Sequence, residues 1–99
     1  MSITVPLLAQ PESAVFFNDY ISSDGKITSA SANEEVSFTR PVINLQVRAF
    51  GSDINIKLND GTTKIIIPAN NALDIGGLEI EKLVVVDNGV DYSYCGMVV

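Results

Sequence analysis

The side chains with the most chemical reach are one thiol, a few carboxylates and a scatter of lysines. Cys95 is the single cysteine. It has no partner for an intrachain disulfide, and no histidine exists to pull its proton away. No Lys or Arg lies within ten residues of it in sequence, so no neighbouring cation favours a reactive thiolate. Between Tyr94 and Gly96 it reads as a small buried hydrophobe. Acid–base chemistry on a glycoside needs two carboxylates aimed at one bond. Glu34 and Glu35 are adjacent, and neighbouring strand residues point to opposite faces. Glu79 and Glu81 share a face, but they alternate with Leu78 and Ile80 as a solvated strand does. Asp87-Asn88-Gly89-Val90-Asp91 carries an acid at each end of a tight turn, yet lacks the middle acid and distal Glu of a calcium loop. Gly76-Gly77 is followed by no Lys-Ser/Thr and no helix start, so it is no phosphate loop. A serine with a lysine base remains formally open, although none of the six basic residues sits in a recognisable motif. The expectation is a protein that is not an enzyme, with no catalytic, metal or cofactor residues assigned.

Composition narrows the partners. Six Lys+Arg stand against 12 Asp+Glu in 99 residues, a net charge of −6. Nucleic-acid backbones and anionic lipids are both bound by excess positive charge, so neither is expected as a partner. The amino-terminal run Ile3 to Ala9 has no basic flank and is broken by Pro6, so no signal peptide is expected. No stretch approaches the ~20 apolar residues of a membrane-crossing helix. Sugar-binding sandwiches often use exposed aromatic platforms. Trp is absent, and Tyr92 and Tyr94 are expected to pack inward, which leaves Tyr20 with Phe16 and Phe17.

The elements that would carry these residues are strands. One domain spans residues 1–99, with 1–13 expected as an extended N-terminal arm or further strand. Ile43 to Phe50 alternates with Asn44, Gln46 and Arg48 on the polar face. Ile54-Asn55-Ile56-Lys57-Leu58 and Thr63 to Ile67 form a hairpin. A two-residue Asp60-Gly61 loop pairs Leu58 with Thr63, Ile56 with Ile65 and Ile54 with Ile67, and sets Lys57 opposite Lys64. Pro68 ends the second arm. Leu73 and Ile75 form a short strand in a connector. The apolar phase slips at Lys82-Leu83, which a β-bulge explains, with a helical turn over 78–83 as the competing account. Asn88-Gly89 folds Leu83–Val86 onto Asp91–Cys95, pairing Val85 with Tyr92 and Leu83 with Tyr94. The apolar end Met97-Val98-Val99 is expected to be tied into a sheet or interface. Ala14 to Ile21 could be a strand, Ser22 to Gly25 a turn, Lys26 to Ala32 an edge strand or loop, and Glu34 to Thr39 a strand. The expected fold is all-β: an antiparallel β-sandwich or small barrel of about six to eight short strands.

The segment Ile65-Ile66-Ile67-Pro68-Ala69-Asn70, with Leu73-Asp74-Ile75, Leu78-Glu79-Ile80 and the closing Tyr92-Ser93-Tyr94-Cys95-Gly96, resembles small β-rich structural proteins of tailed bacteriophages. The resemblance covers residues 54–99 and is to the head-decoration or auxiliary virion kind. It implies a particle component in the virion, made in the host cytoplasm. Such a component binds its own copies as a homo-oligomer and a capsid or tail protein, without cofactors. A glycan or cell-surface binding module used in host attachment is the alternative.

Overall fold

The computed structural model describes residues 19–98. The expected arm over 1–13, the Phe16 and Phe17 rings and Val99 lie outside them. The described chain is all-β, with seven antiparallel strands: β1 (Asp19–Ser22), β2 (Ile27–Thr28), β3 (Glu34–Phe50), β4 (Ile54–Leu58), β5 (Ile65–Ile67), β6 (Ala72–Val85) and β7 (Asp91–Val98). They form one sheet in the order β1-β7-β3-β6-β4-β5, with β2 also on β7, curled into a half-barrel. Most strands are short, as expected, but β3 and β6 run for 17 and 14 residues. The segments expected as separate strands on either side of Pro41 are one strand. Pro41 falls between Ser37 and Val42, where the β3–β6 ladder is interrupted, so its missing N–H leaves no rung empty.

The core lies on the inner face. Leu45, Val47 and Ala49 of β3, Ile54 and Ile56 of β4, Ile67 of β5, Leu83 and Val85 of β6 and Tyr92 of β7 are all buried there. The alternation therefore reads correctly from Leu45 to Ala49, but Ile43 lies outside the core, because β3 shifts register between Val42 and Asn44 and Val42 is buried instead. The isoleucine register also reads correctly, with Ile54 opposite Ile67 and Ile56 opposite Ile65. The hairpin tip differs. The turn is Leu58-Asn59-Asp60-Gly61, closed by the Gly61 N–H donating to the Leu58 carbonyl. Asn59, not the Asp60-Gly61 pair, takes the left-handed conformation, at φ 54°. Leu58 pairs with Leu83 and Lys57 with Val84, because β6 recruits the end of β4. Thr63 and Lys64 are exposed outside any strand, so the Leu58–Thr63 and Lys57–Lys64 pairs do not form.

The expected β6–β7 hairpin is overturned. β3 lies between those strands, so Val85 faces Glu34 and Ile56, while Tyr92 faces Ala49 and Ile27. Leu83 faces Val36, and Tyr94 faces Val47. The Asn88-Gly89 turn exists, with Gly89 at φ 72°, but it carries the chain across the curl instead of back along β6. The long β3 offers both strands a partner, and the curl brings its two ends together. Tyr92, opposite the carboxyl end of β3, donates its hydroxyl proton to Glu34 at the amino end, at 2.8 Å.

The phase slip in β6 is real and strand-like, so the competing helical turn is absent. Ile80 is buried, Glu81 exposed, and Leu83 to Val85 buried. The ladder with β3 shifts register on both sides of the Val42–Ile80 pair. Asn59 pins this irregularity: its Oδ1 accepts from the N–H groups of Glu81 and Lys82 at 2.7 and 3.3 Å, and its amide donates to the Glu79 carbonyl. Leu78, expected inward with Ile80, is exposed because it lies in the displaced stretch.

Candidate interaction surface

The residues considered for chemistry are spread apart, and several are engaged by other partners. The Glu34 carboxylate accepts from Tyr92 and from the Ala30 N–H, tying two segments together. Glu35 sits on the other face, 3.6 Å from the Lys82 ammonium. Lys82 also donates to Asp60 at 2.9 Å. That hydrogen bond holds the Asp60 carboxyl below its ordinary pKa and the Lys82 ammonium above its own. Asp87 turns to Asn55, accepting from its backbone N–H at 2.7 Å, while Asp91 accepts from the Thr28 hydroxyl and faces Lys26. The acids of that turn thus serve different partners. Glu79 and Glu81 are exposed. Among the described residues, no group of three or more His, Cys, Asp or Glu side chains could hold a metal ion. No helix among them is long and apolar enough to cross a membrane.

Tyr92 is fully buried, as expected, and Tyr94 is half-buried with its ring edge-on to Phe38 at 5.7 Å. Burial, together with the neighbouring Glu34 carboxylate, pushes the Tyr92 phenol well above its ordinary pKa. Cys95 corrects the expectation of a buried thiol: it is exposed. Strand alternation already carried that signal, since Tyr94 and Gly96 both turn inward and the residue between them must turn out.

Cys95 lies in a concavity of the outer face. Register places two rows of side chains side by side across four strands. Ser22, Cys95, Gln46 and Asp74 form one row, and Tyr20, Met97, Asn44 and Gly76 the next. The backbone of Ile21, Gly96, Leu45 and Ile75 runs between them as a floor. Four strands at the usual spacing make this trough about 14 Å wide across the sheet. Its volume is about 550 Å³, and its walls are mostly apolar. The Gln46 amide donates to the Asp74 carboxylate at 2.9 Å at one end. Tyr20, 72% exposed, stands at the other. Ile43, Gly77, Leu78 and Glu79 shape a shallower hollow that shares Asn44 with the trough. Asn44 and Gln46 were legible as an outer face; that β1 and β7 complete it follows only from long-range pairing.

No family model matches the chain, and no curated protein matches it. Solved structures do share the fold. A cupin-superfamily protein from Desulfitobacterium hafniense DCB-2 superposes with a TM-score of 0.52 at 15% identity, covering 87% of this chain and 84% of that one. A DUF1255 protein of unknown function from Acinetobacter sp. ADP1 gives 0.51 at 12% identity, covering 79% and 68%. At such identities the likeness is one of fold.

Proposed function

We propose that the chain is a non-enzymatic structural module that acts by binding its own copies and a larger assembly, as an accessory protein of a bacteriophage virion. The observation that carries the self-association is the outer trough with its exposed Tyr20 and the neighbouring exposed Leu78. An apolar concavity on a small acidic protein gains most from burial against another surface. Elsewhere Glu34, Tyr92, Asn55, Asn59 and Asp87 are held in hydrogen bonds between segments of the half-barrel. The virion setting rests on the resemblance over residues 54–99, with a capsid or tail protein as the second partner. Sedimentation velocity across the micromolar range tests self-association: a concentration-dependent rise above the 10.6 kDa monomer is expected. A single monomer boundary throughout would remove it. Immunogold labelling of particles from the encoding virus tests the setting.

A glycan-binding reading has one observation in its favour. Tyr20 offers an exposed ring within reach of the same trough as the Asn44 and Gln46 amides and the Asp74 carboxylate, groups that stack on and hydrogen-bond to sugars. Loss of glycan-array signal on Tyr20→Ala would support it.

A further inference from the structure

We propose that the outer trough is where two copies of this chain meet, sheet against sheet, about a two-fold axis that passes through it, with Arg48 of each copy facing Glu79 of the other. The inference deepens the self-association proposed above by naming its surface and geometry. The charges flanking the trough on its two sides, along the strands, argue for a second copy. Arg48 lies two residues beyond Gln46 on the same face of β3, exposed, and makes no ion pair among the described residues. Glu79 lies beyond Gly76 on the adjacent strand β6, on the opposite side of the trough, also exposed and without an ion pair among the described residues. Within one copy the trough separates them.

A two-fold axis exchanges the two ends of a surface, so residues kept apart in one copy meet across the interface. With the sheets face to face, an axis lying between them, perpendicular to the strands and level with the gap between the Asn44–Gly76 and Gln46–Asp74 pairs, runs the partner's strands in reverse and brings the partner's Glu79 towards Arg48 twice over. The same rotation sets the partner's Asn44 amide near Asp74, whose Oδ1 accepts from Gln46 and whose Oδ2 has no donor among the described residues. Copies stacked in parallel alignment would instead oppose Arg48 with Arg48, which like-charge repulsion disfavours. Packed sheets stand about 10 Å apart, a gap that side chains such as Tyr20, Met97 and Leu78 fill.

The test is a charge exchange read by sedimentation velocity on the full chain. Arg48→Glu and Glu79→Arg should each weaken dimerisation by roughly tenfold. The combined R48E/E79R variant should return it to near the wild-type constant. Both positions are exposed, and circular dichroism confirms that each variant is folded before it is compared. Maleimide labelling of Cys95 supplies a second readout, because the trough should protect the thiol in the dimer and expose it on dilution. Failure of the double variant to recover, or labelling of Cys95 at the same rate in dimer and monomer, overturns this interface while leaving self-association through another surface intact. A monomer at every concentration overturns both. So does a monomer that binds a glycan through the trough and loses that binding on Tyr20→Ala.

Discussion

Gly96 lies beneath the point where β3 changes phase between Val42 and Leu45. A Cβ added there would stand 2.6 Å from the Asn44 carbonyl oxygen and 2.6 Å from a Val42 methyl carbon. The first of these is backbone and cannot rotate away. Gly96→Ala should therefore cost about 1–3 kcal/mol or more in urea unfolding, through forced separation of β7 from β3. Asn59 is a different kind of position. Asn59→Ala loses three side-chain hydrogen bonds and puts a Cβ residue at φ 54° without the compensating amide. Asn59→Gly loses the same bonds but relieves the backbone, so it should be less destabilising by about 1 kcal/mol. Tyr92 gives a pH signature. Its pKa is raised in the folded state, so its contribution is complete below the unfolded phenol value near 10 and is lost as pH climbs towards the folded value. Stability should fall above pH ~10 by up to about 1.4 kcal/mol per pH unit from this group alone. Tyr92→Phe should flatten that part of the profile relative to wild type, as followed by urea unfolding at stepped pH.

Among the elements, the β4–β5 hairpin shows how far alternation reaches. Ile56→Ala should lose about 2–5 kcal/mol, since Ile56 is fully buried against β5 and β6. Exposed Ile66, on the same hairpin, should tolerate Ile66→Thr within about 0.5 kcal/mol in thermal unfolding. Both expectations follow from a register readable in the residues themselves, because a slip by one would turn every isoleucine outward. The turn chemistry was less legible. Asp60-Gly61 suits a two-residue loop, but Asn59 also satisfies the displaced backbone of β6, and that bond pattern prevails over local preference. The β6–β7 pairing was illegible for a related reason. Successive strands joined by Asn-Gly usually pair, yet β3 is long enough to serve both and competes for the same edges. Cys95 failed differently: its residue type suggested burial while its position in the alternation indicated exposure, and position decided. The trough was out of reach because its rows join residues as distant in sequence as Ser22, Gln46, Asp74 and Cys95.

At the level of the whole molecule, most of the pairing that closes the sheet joins distant parts of the chain: β1 and β2 with β7, and β3 with β6 and β7. Such topologies fold slowly, so stopped-flow refolding from urea should proceed over roughly milliseconds to seconds. The border formed by β1 and β2 has a further consequence. Both strands run along β7 in the same direction, interrupted between Ser22 and Ile27, where Asp24 and Gly25 adopt φ 59° and 112°. A kinked margin of this kind makes a poor template for an incoming strand. The opposite margin, β5, is only three residues long. Among the described residues neither of these two margins therefore offers a long, regular rim, so copies should not add edge to edge along them into a fibre.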